Sequence, residues 1–136
     1  MKKEKSCGIV VFNDDKILVV KQNAGHYGFP KGHVEENETE FETAIREVKE
    51  ETNVDAAIVG NFRDVITYSP KEDVLKDVIF FSGKALSFDL KNQETEISKV
   101  MFCDFEKAFK LVTYENEKKI LKDAIKYYED NKKLFE

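Results

Sequence analysis

The sequence contains little that marks a disordered, secreted or membrane-bound chain. Its 136 residues include two prolines, six glycines, two cysteines and no tryptophan, against eleven phenylalanines and five tyrosines. This composition argues against disorder and low complexity. The longest apolar run near the start, residues 7–12, is too short for a signal-peptide core or a membrane span. We therefore expect one domain over residues 1–136, located in the cytoplasm and without a membrane partner.

An excess of basic charge is also missing. The chain carries 27 Asp and Glu against 22 Lys and Arg, a net charge of −5. No broad basic face is expected, so DNA is not an expected partner and an RNA end is disfavoured. Cys7 and Cys103 each lie alone in an apolar stretch. This isolation favours reduced core thiols over a metal pair, with a disulfide as the alternative.

The order of the predicted elements indicates a mixed sheet covered by helices on its faces. Short apolar runs rich in β-branched and aromatic residues predict strands at 6–12, 16–21, 56–59, 62–68, 74–86 and 100–104. A helix is predicted over 39–52, because Thr39 and Glu42 form a capping box and Asn53 suits a helix end. Further helices are predicted after Asp104 and Thr113. Residues 22–36, with three glycines and a proline, predict a loop.

The helix over residues 39–52 is unusually acidic. Residues 35–51 carry eight acidic and two basic side chains. At about 100° per residue, four carboxylates share one face beside an apolar stripe. That face carries Glu40, Glu47, Glu50 and Glu51, and the stripe consists of Phe41, Ala44, Ile45 and Val48. Neither base, Arg46 or Lys49, is expected to enter the centre of the cluster.

Such a cluster has two interpretations. It is either a solvated acidic surface or a site for a divalent cation. Like charges three and four residues apart destabilise a helix by a few tenths of a kcal/mol each. A cation removes that repulsion, and Mg²⁺ in particular is bound by a few carboxylates together with water and phosphate oxygens. The geometry favours the cation site.

Residues 32–54 resemble the Nudix box, G-x5-E-x7-R-E-U-x-E-E-x-G-U, where U is aliphatic. The matching residues are Gly32, Glu38 and the run Arg46-Glu47-Val48-Lys49-Glu50-Glu51-Thr52-Asn53-Val54. The one departure is Asn53 in place of glycine, and Asn also tolerates a left-handed helix end. The resemblance implies an α/β fold, an α/β/α sandwich with a mixed β-sheet between helices. It also implies a pyrophosphohydrolase that cleaves phosphoric anhydride bonds.

The same resemblance assigns roles to residues of the box. Metal ligands would be Glu47, Glu50, Glu51, the main-chain carbonyl of Lys31, and Glu96 from outside the box. Arg46 would orient Glu47, and Glu38 would be a supporting carboxylate. The general base would be either Glu47 or Glu96. For Glu96 the alternative is a loop residue without a catalytic role. The implied cofactor is Mg²⁺, with Mn²⁺ as a second option, which neutralises phosphate charge and activates water.

One branch of the family, the asymmetric diadenosine tetraphosphate hydrolases, is especially similar in the segment Pro30-Lys31-Gly32-His33-Val34-Glu35 and in residues 63–68 and 76–81. This similarity implies polyphosphate contacts from Lys31, His33 and Lys76, and base stacking by Tyr27 and Tyr68. Each of these five side chains has an ordinary surface or core role as its alternative.

The favoured function is Mg²⁺-dependent hydrolysis of a dinucleoside polyphosphate, such as diadenosine tetraphosphate to ATP and AMP, by a monomer or homodimer. An RNA 5′ pyrophosphohydrolase or another nucleotide pyrophosphatase is the alternative within the family. The non-enzymatic alternative is a nucleotide-sensing Nudix domain. Retention of every acidic position of the box disfavours that alternative.

Overall fold

Seven strands and three α-helices make up the fold in a computed structural model that describes residues 1–136. The strands are β1 (Lys2–Asn13), β2 (Lys16–Gln22), β3 (Tyr27–Gly28), β4 (Lys31–His33), β5 (Ala56–Tyr68), β6 (Val74–Ala85) and β7 (Ile97–Asp104). The helices are α1 (Glu40–Thr52), α2 (Phe105–Leu111) and α3 (Glu115–Asp130), followed by a 3₁₀ turn (Lys132–Phe135). None of the helices has both the length and the apolar character needed to cross a bilayer.

The strands form one mixed sheet in which β1 has a central position. β1 runs parallel to β6 and antiparallel to β2 and β4, and β5 extends the sheet beyond β6. β1 and β2 pair only at their hairpin end, because β2 then turns to pair with β3 and β7. The two strands therefore diverge, and β4 occupies the open side of β1.

Two apolar clusters lie on opposite faces of this sheet. Along β1, Cys7, Ile9 and Val11 belong to the cluster beneath α1, whereas Val10 and Phe12 belong to the cluster beneath α2 and α3. This alternation is the period-two pattern of a strand that is buried on both faces. The predicted α/β sandwich, a mixed sheet between helices, is confirmed.

Both predicted features of the α1 termini are confirmed. The Thr39 side chain accepts a hydrogen bond from the Glu42 N–H at 3.1 Å, and the Glu42 carboxylate accepts one from the Thr39 N–H at 2.9 Å. Asn53 ends the helix with φ at 68°. Cys7 and Cys103 are buried, unpaired and on opposite faces of the sheet, as expected for core thiols.

Other local predictions were wrong. Residues 22–36 are not entirely loop, because β3 and β4 lie within them. These strands have only two and three residues, so they show no periodicity of their own and form through pairing with β2 and β1. The apolar stripe of α1 is also narrower than expected. Ala44 and Val48 are buried, but Phe41 and Ile45 are 54% and 40% exposed.

Candidate active site

The short strand β4 brings the loop before α1 against the helix. Gly32 faces Glu47, and a methyl group on Gly32 would collide with the Glu47 carboxylate. The main-chain N–H of Lys31 donates a hydrogen bond to Oε1 of Glu51 at 3.3 Å. The glycine of the box thus permits the close approach of strand and helix that positions both carboxylates.

These carboxylates line a cavity of about 310 Å³ whose lining has no hydrophobic residue. We call it the acidic pocket. Its lining consists of Ser6, Gln22, His26, Lys31, Gly32, His33, Glu35, Glu47, Glu51, Lys76 and Glu96. Glu96 enters from the start of β7, where its main-chain carbonyl accepts a hydrogen bond from the Asn23 N–H at 2.8 Å. Six of the predicted site residues, Lys31, His33, Glu47, Glu51, Lys76 and Glu96, therefore meet in one pocket.

In the absence of a bound cation, the acidic pocket disfavours the charged forms of its own carboxylates. Glu51 is 2% exposed, and burial, followed by the charge of Glu47, raises its pKa to about 8. Burial also raises the pKa of Glu47, against the opposing effect of Arg46. The charge of Glu96 contributes to the rise at both residues. A bound cation would stabilise the ionised forms of Glu47 and Glu51.

Arg46 forms hydrogen bonds with several acidic residues of the box, contrary to the prediction that it stays out of the carboxylate cluster. Its guanidinium donates to Glu38 at 2.6 Å, to Glu47 at 2.7 Å and to Glu50 at 3.1 Å. It also donates to the main-chain oxygen of His33 at 3.0 Å. The guanidinium reaches these partners because its long side chain folds along the helix surface, which an angular projection of Cα positions does not represent.

The predicted carboxylate face is divided. Glu47 and Glu51 line the acidic pocket, whereas Glu50 bonds to Arg46 and lies outside the lining. Glu40 binds Lys5 at 3.0 Å and Arg63 at 3.1 Å instead. Although Glu40 and Glu47 share a helix face, they lie about 10 Å apart along the axis, two turns of helix. The prediction that Glu40 belongs to the cluster was therefore wrong.

No three carboxylate, imidazole or thiolate side chains converge closely enough in the structure to hold a metal ion by themselves. The buried Glu51 and the half-buried Glu47 nevertheless fit a divalent cation, because burial disfavours the charged form of each and the charge of Glu47 adds to this effect at Glu51. A set of few protein ligands suits Mg²⁺, which retains water and takes substrate oxygens.

A second cavity, of about 400 Å³, adjoins the acidic pocket and shares Gln22, His26 and Lys31 with it. We call it the aromatic pocket. The remaining lining residues are Gly28, Phe29, Ile66, Tyr68, Val78, Phe80, Tyr114, Asn116 and Glu117. Its volume and largely apolar lining, with a few polar groups, are typical of a small-molecule site.

The two tyrosines predicted to stack on a base lie in different places. Tyr68 lines the aromatic pocket and is 41% exposed. Tyr27 lines neither pocket, because β3 pairs it with Lys21 and its ring packs against the core beneath α3. The structure thus brings Tyr68, but not Tyr27, to a cavity that can hold a ligand.

Sequence reasoning missed several lining residues. They are Ser6, Gln22, Tyr114, Asn116 and Glu117, together with His26, which was interpreted as a loop residue. A signal existed for Glu117, which precedes Ile120 and Leu121 by three and four residues and so lies on the buried stripe of α3. Ser6 carries a buried hydroxyl without a hydrogen-bond partner, and no sequence pattern indicates this.

Comparison with known proteins agrees with this fold. The sequence model of the NUDIX domain matches residues 2–124, and the chain belongs to the Nudix family. It is a hydrolase of the pyrophosphohydrolase class, as the box predicted.

Individual relatives cover most of the chain. The asymmetrical bis(5′-nucleosyl)-tetraphosphatase of Sus scrofa is 26% identical over 88% of this chain and 92% of its own length. The m7GpppN-mRNA hydrolase of Saccharomyces cerevisiae is 30% identical over 89% of this chain and 12% of its own length. A crystal structure of a C. elegans Ap4A hydrolase binary complex matches with a TM-score of 0.84 and 25% identity, over 93% of this chain and 98% of that one.

Proposed function

We propose that this enzyme hydrolyses dinucleoside polyphosphates asymmetrically with Mg²⁺, so that diadenosine tetraphosphate yields ATP and AMP. The observation that carries the proposal is the junction of the two pockets at Gln22, His26 and Lys31. A nucleoside in the aromatic pocket would direct its phosphate chain into the acidic pocket. The named substrates of the Sus scrofa and C. elegans relatives support the same choice.

The proposed polyphosphate contacts are three nitrogen-bearing side chains of the acidic pocket. Lys31, His33 and Lys76 all line it. Burial, and then the nearby charge of Lys31, lowers the pKa of Lys76. An anionic phosphate chain would relieve that repulsion, so binding would be strongest for ligands with several negative charges. In the aromatic pocket, Tyr68 is the proposed stacking partner for the base.

The box residues would hold the metal and position the attacking water. We propose Glu47, Glu50, Glu51 and the main-chain carbonyl of Lys31 as ligands, with Glu96 beside them. When bound, Mg²⁺ would neutralise phosphate charge and lower the pKa of water. Arg46 donates a hydrogen bond to Oε1 of Glu47 at 2.7 Å, so one oxygen of that carboxylate already has a partner. Glu96 has no such partner and is therefore the proposed general base.

A product assay tests this function. Diadenosine tetraphosphate, incubated with and without Mg²⁺, should give ATP and AMP only when metal is present. Glu51→Gln keeps the side-chain shape and removes a proposed ligand, so it should lower kcat by at least about 100-fold, the lower range for loss of an essential acid–base or electrostatic group. Its melting temperature reports whether the fold survives.

Two outcomes would contradict the proposal. One is cleavage to two ADP, or cleavage that proceeds equally without metal. The other is faster turnover of triphosphorylated or capped RNA than of the dinucleotide, which would favour the RNA-directed alternative. Glu96→Gln removes the proposed general base and should lower kcat. Glu94→Gln is its control, because Glu94 is a neighbouring acid that does not line the acidic pocket.

A further inference from the structure

Glu117 is the one acidic residue that lines the aromatic pocket. It lies in the first turn of α3, is 8% exposed, and packs over Gly28 so closely that a methyl group there would collide with its Oε1. Burial raises its pKa, against the opposing effects of the Lys31 charge and the main-chain N–H of Phe29. The backbone is thus shaped to accept this carboxylate.

A structural role does not account for a charged group at this position. No lysine, arginine or histidine forms an ion pair with Glu117, unlike the first-turn acid Glu40 of α1, which binds two bases. A buried carboxylate without an ion pair costs stability, and glutamine would fill the same space at lower cost. An ionised carboxylate has about four acceptor sites and no donor. Glu117 therefore presents unused acceptors to the cavity.

The acceptor pattern of Glu117 discriminates between bases. Guanine presents two adjacent donors, N1–H and the exocyclic amino group, which match the two oxygens of a carboxylate. Adenine and cytosine each present one donor beside a ring-nitrogen acceptor, and that lone pair would face a carboxylate oxygen. Asn116, Gln22 and His26 line the same cavity and supply donors for the guanine carbonyl oxygen.

We propose that Glu117 makes the aromatic pocket selective for a guanine nucleoside, so that guanine dinucleoside polyphosphates are preferred over their adenine counterparts. This inference rests on the proposed function for its substrate class. Tyr68 and Tyr114, both in the lining, would contact the faces of the base, while Glu117 reads its hydrogen-bonding edge. The stacking contacts are independent of base identity, so selectivity resides in Glu117.

The test compares kcat/KM for diguanosine and diadenosine tetraphosphates. The natural chain should favour the guanine compound by roughly 5- to 100-fold, the range for one well-formed pair of hydrogen bonds to a base. Glu117→Gln keeps the shape but offers one donor and one acceptor, which complement adenine. This variant should lower the guanine-to-adenine ratio at least about tenfold.

Glu115→Gln is the matched control. Glu115 lies in the same turn of α3, is exposed and does not line the pocket, so this variant removes an equal charge without altering the edge that meets the base. It should retain the natural ratio. A loss of selectivity in both variants would show that the effect arises from the negative charge in this turn of α3, and this result would overturn the specific role of Glu117.

Equilibrium binding of GMP and AMP to metal-free protein, measured by calorimetry, separates this inference from the proposed function. Tighter binding of GMP, reversed in Glu117→Gln, supports selectivity even if no dinucleotide is cleaved, and in that case the proposed function fails alone. Efficient cleavage without base preference would overturn the inference and leave the proposed function intact. Absence of binding by either nucleotide would also overturn it.

Discussion

At the scale of single residues, Arg46 couples the conformation of the loop to helix α1. Its guanidinium bonds to Glu38 at the entry to α1, to Glu47 within α1, and to the main-chain oxygen of His33 in β4. These groups come from three segments, so one planar cation fixes their relative positions. A lysine ammonium is a point charge and cannot bond to all three in this arrangement.

Replacement of Arg46 by lysine should therefore lower kcat by about 10- to 100-fold, the typical loss when a group that orients a ligand residue is removed. The charge is conserved, so the loss would arise from geometry. Steady-state kinetics at saturating substrate measure it, and Lys49→Arg is the control, since Lys49 is an exposed neighbour that binds Asp55 instead. Unchanged kcat in Arg46→Lys would show that Glu47 needs no such positioning.

At the scale of the element, α1 separates its acidic residues by axial position as well as by face. Its first turn and entry, with Glu38 and Glu40, are neutralised by arginine and lysine partners. Further along, Glu47 and Glu51 face the acidic pocket, and burial raises the pKa of each. The helix thus places Glu38 and Glu40 in ion pairs at its entry, and it places Glu47 and Glu51, whose charged forms burial disfavours, where the proposed metal binds.

The ion pair of Glu38 with Arg46 at the entry to α1 can be tested through the pH dependence of stability. The bonds from Arg46, followed by the bond from Thr43 Oγ1, lower the pKa of Glu38 from 4.5 to about 2. Because the folded pKa lies below the unfolded value, its stabilisation is complete above about pH 4.5 and is lost as the pH falls through about 2. Glu38→Gln should therefore be less stable than the natural chain at neutral pH, with a difference that shrinks in this window.

Urea unfolding midpoints between pH 7 and pH 2 measure the difference. Glu36→Gln is the control, since Glu36 is an exposed acid two residues from Glu38, so its curve should parallel that of the natural chain. A Glu38→Gln difference that stays constant across the range would mean that the Arg46 bonds do not favour the ionised carboxylate.

The elements that the sequence predicts well are those whose determinants are local. The capping box, Asn53 and the spacing of Glu47 and Glu51 lie within fifteen residues, so helical periodicity relates them directly. Ser6 and Glu117 join the pockets only because β1 pairs with β4 and α3 packs over Gly28 of β3. Such contacts between distant segments leave no spacing in the sequence. The pairing of Tyr27 with Lys21, which turns that tyrosine away, is a register effect of the same kind.

At the scale of the whole molecule, the acidic pocket and an aromatic cluster lie at opposite ends of β1. Ser6 lines the acidic pocket, whereas Phe12, about 20 Å away along the strand, belongs to an aromatic cluster. The Tyr128 ring stacks on Phe12 with centroids 4.3 Å apart, and Phe135 packs against both. Tyr128 and Phe135 lie beyond the matched residues 2–124, so we propose that residues 1–136 act as one unit.

Tyr128→Ala tests this proposal. Removal of a buried aromatic ring should lower the free energy of unfolding by about 3 to 5 kcal/mol. Tyr128→Phe, which keeps the ring and loses only the 3.1 Å bond to Asp15, should cost about 1 kcal/mol or less. Denaturant unfolding gives both values.

Because the ring lies at the opposite end of β1 from the acidic pocket, kcat per folded molecule should be unchanged in both variants. A stable Tyr128→Ala chain would mean that residues beyond 124 are dispensable to the fold, and a fall in kcat without unfolding would mean that the two ends are coupled.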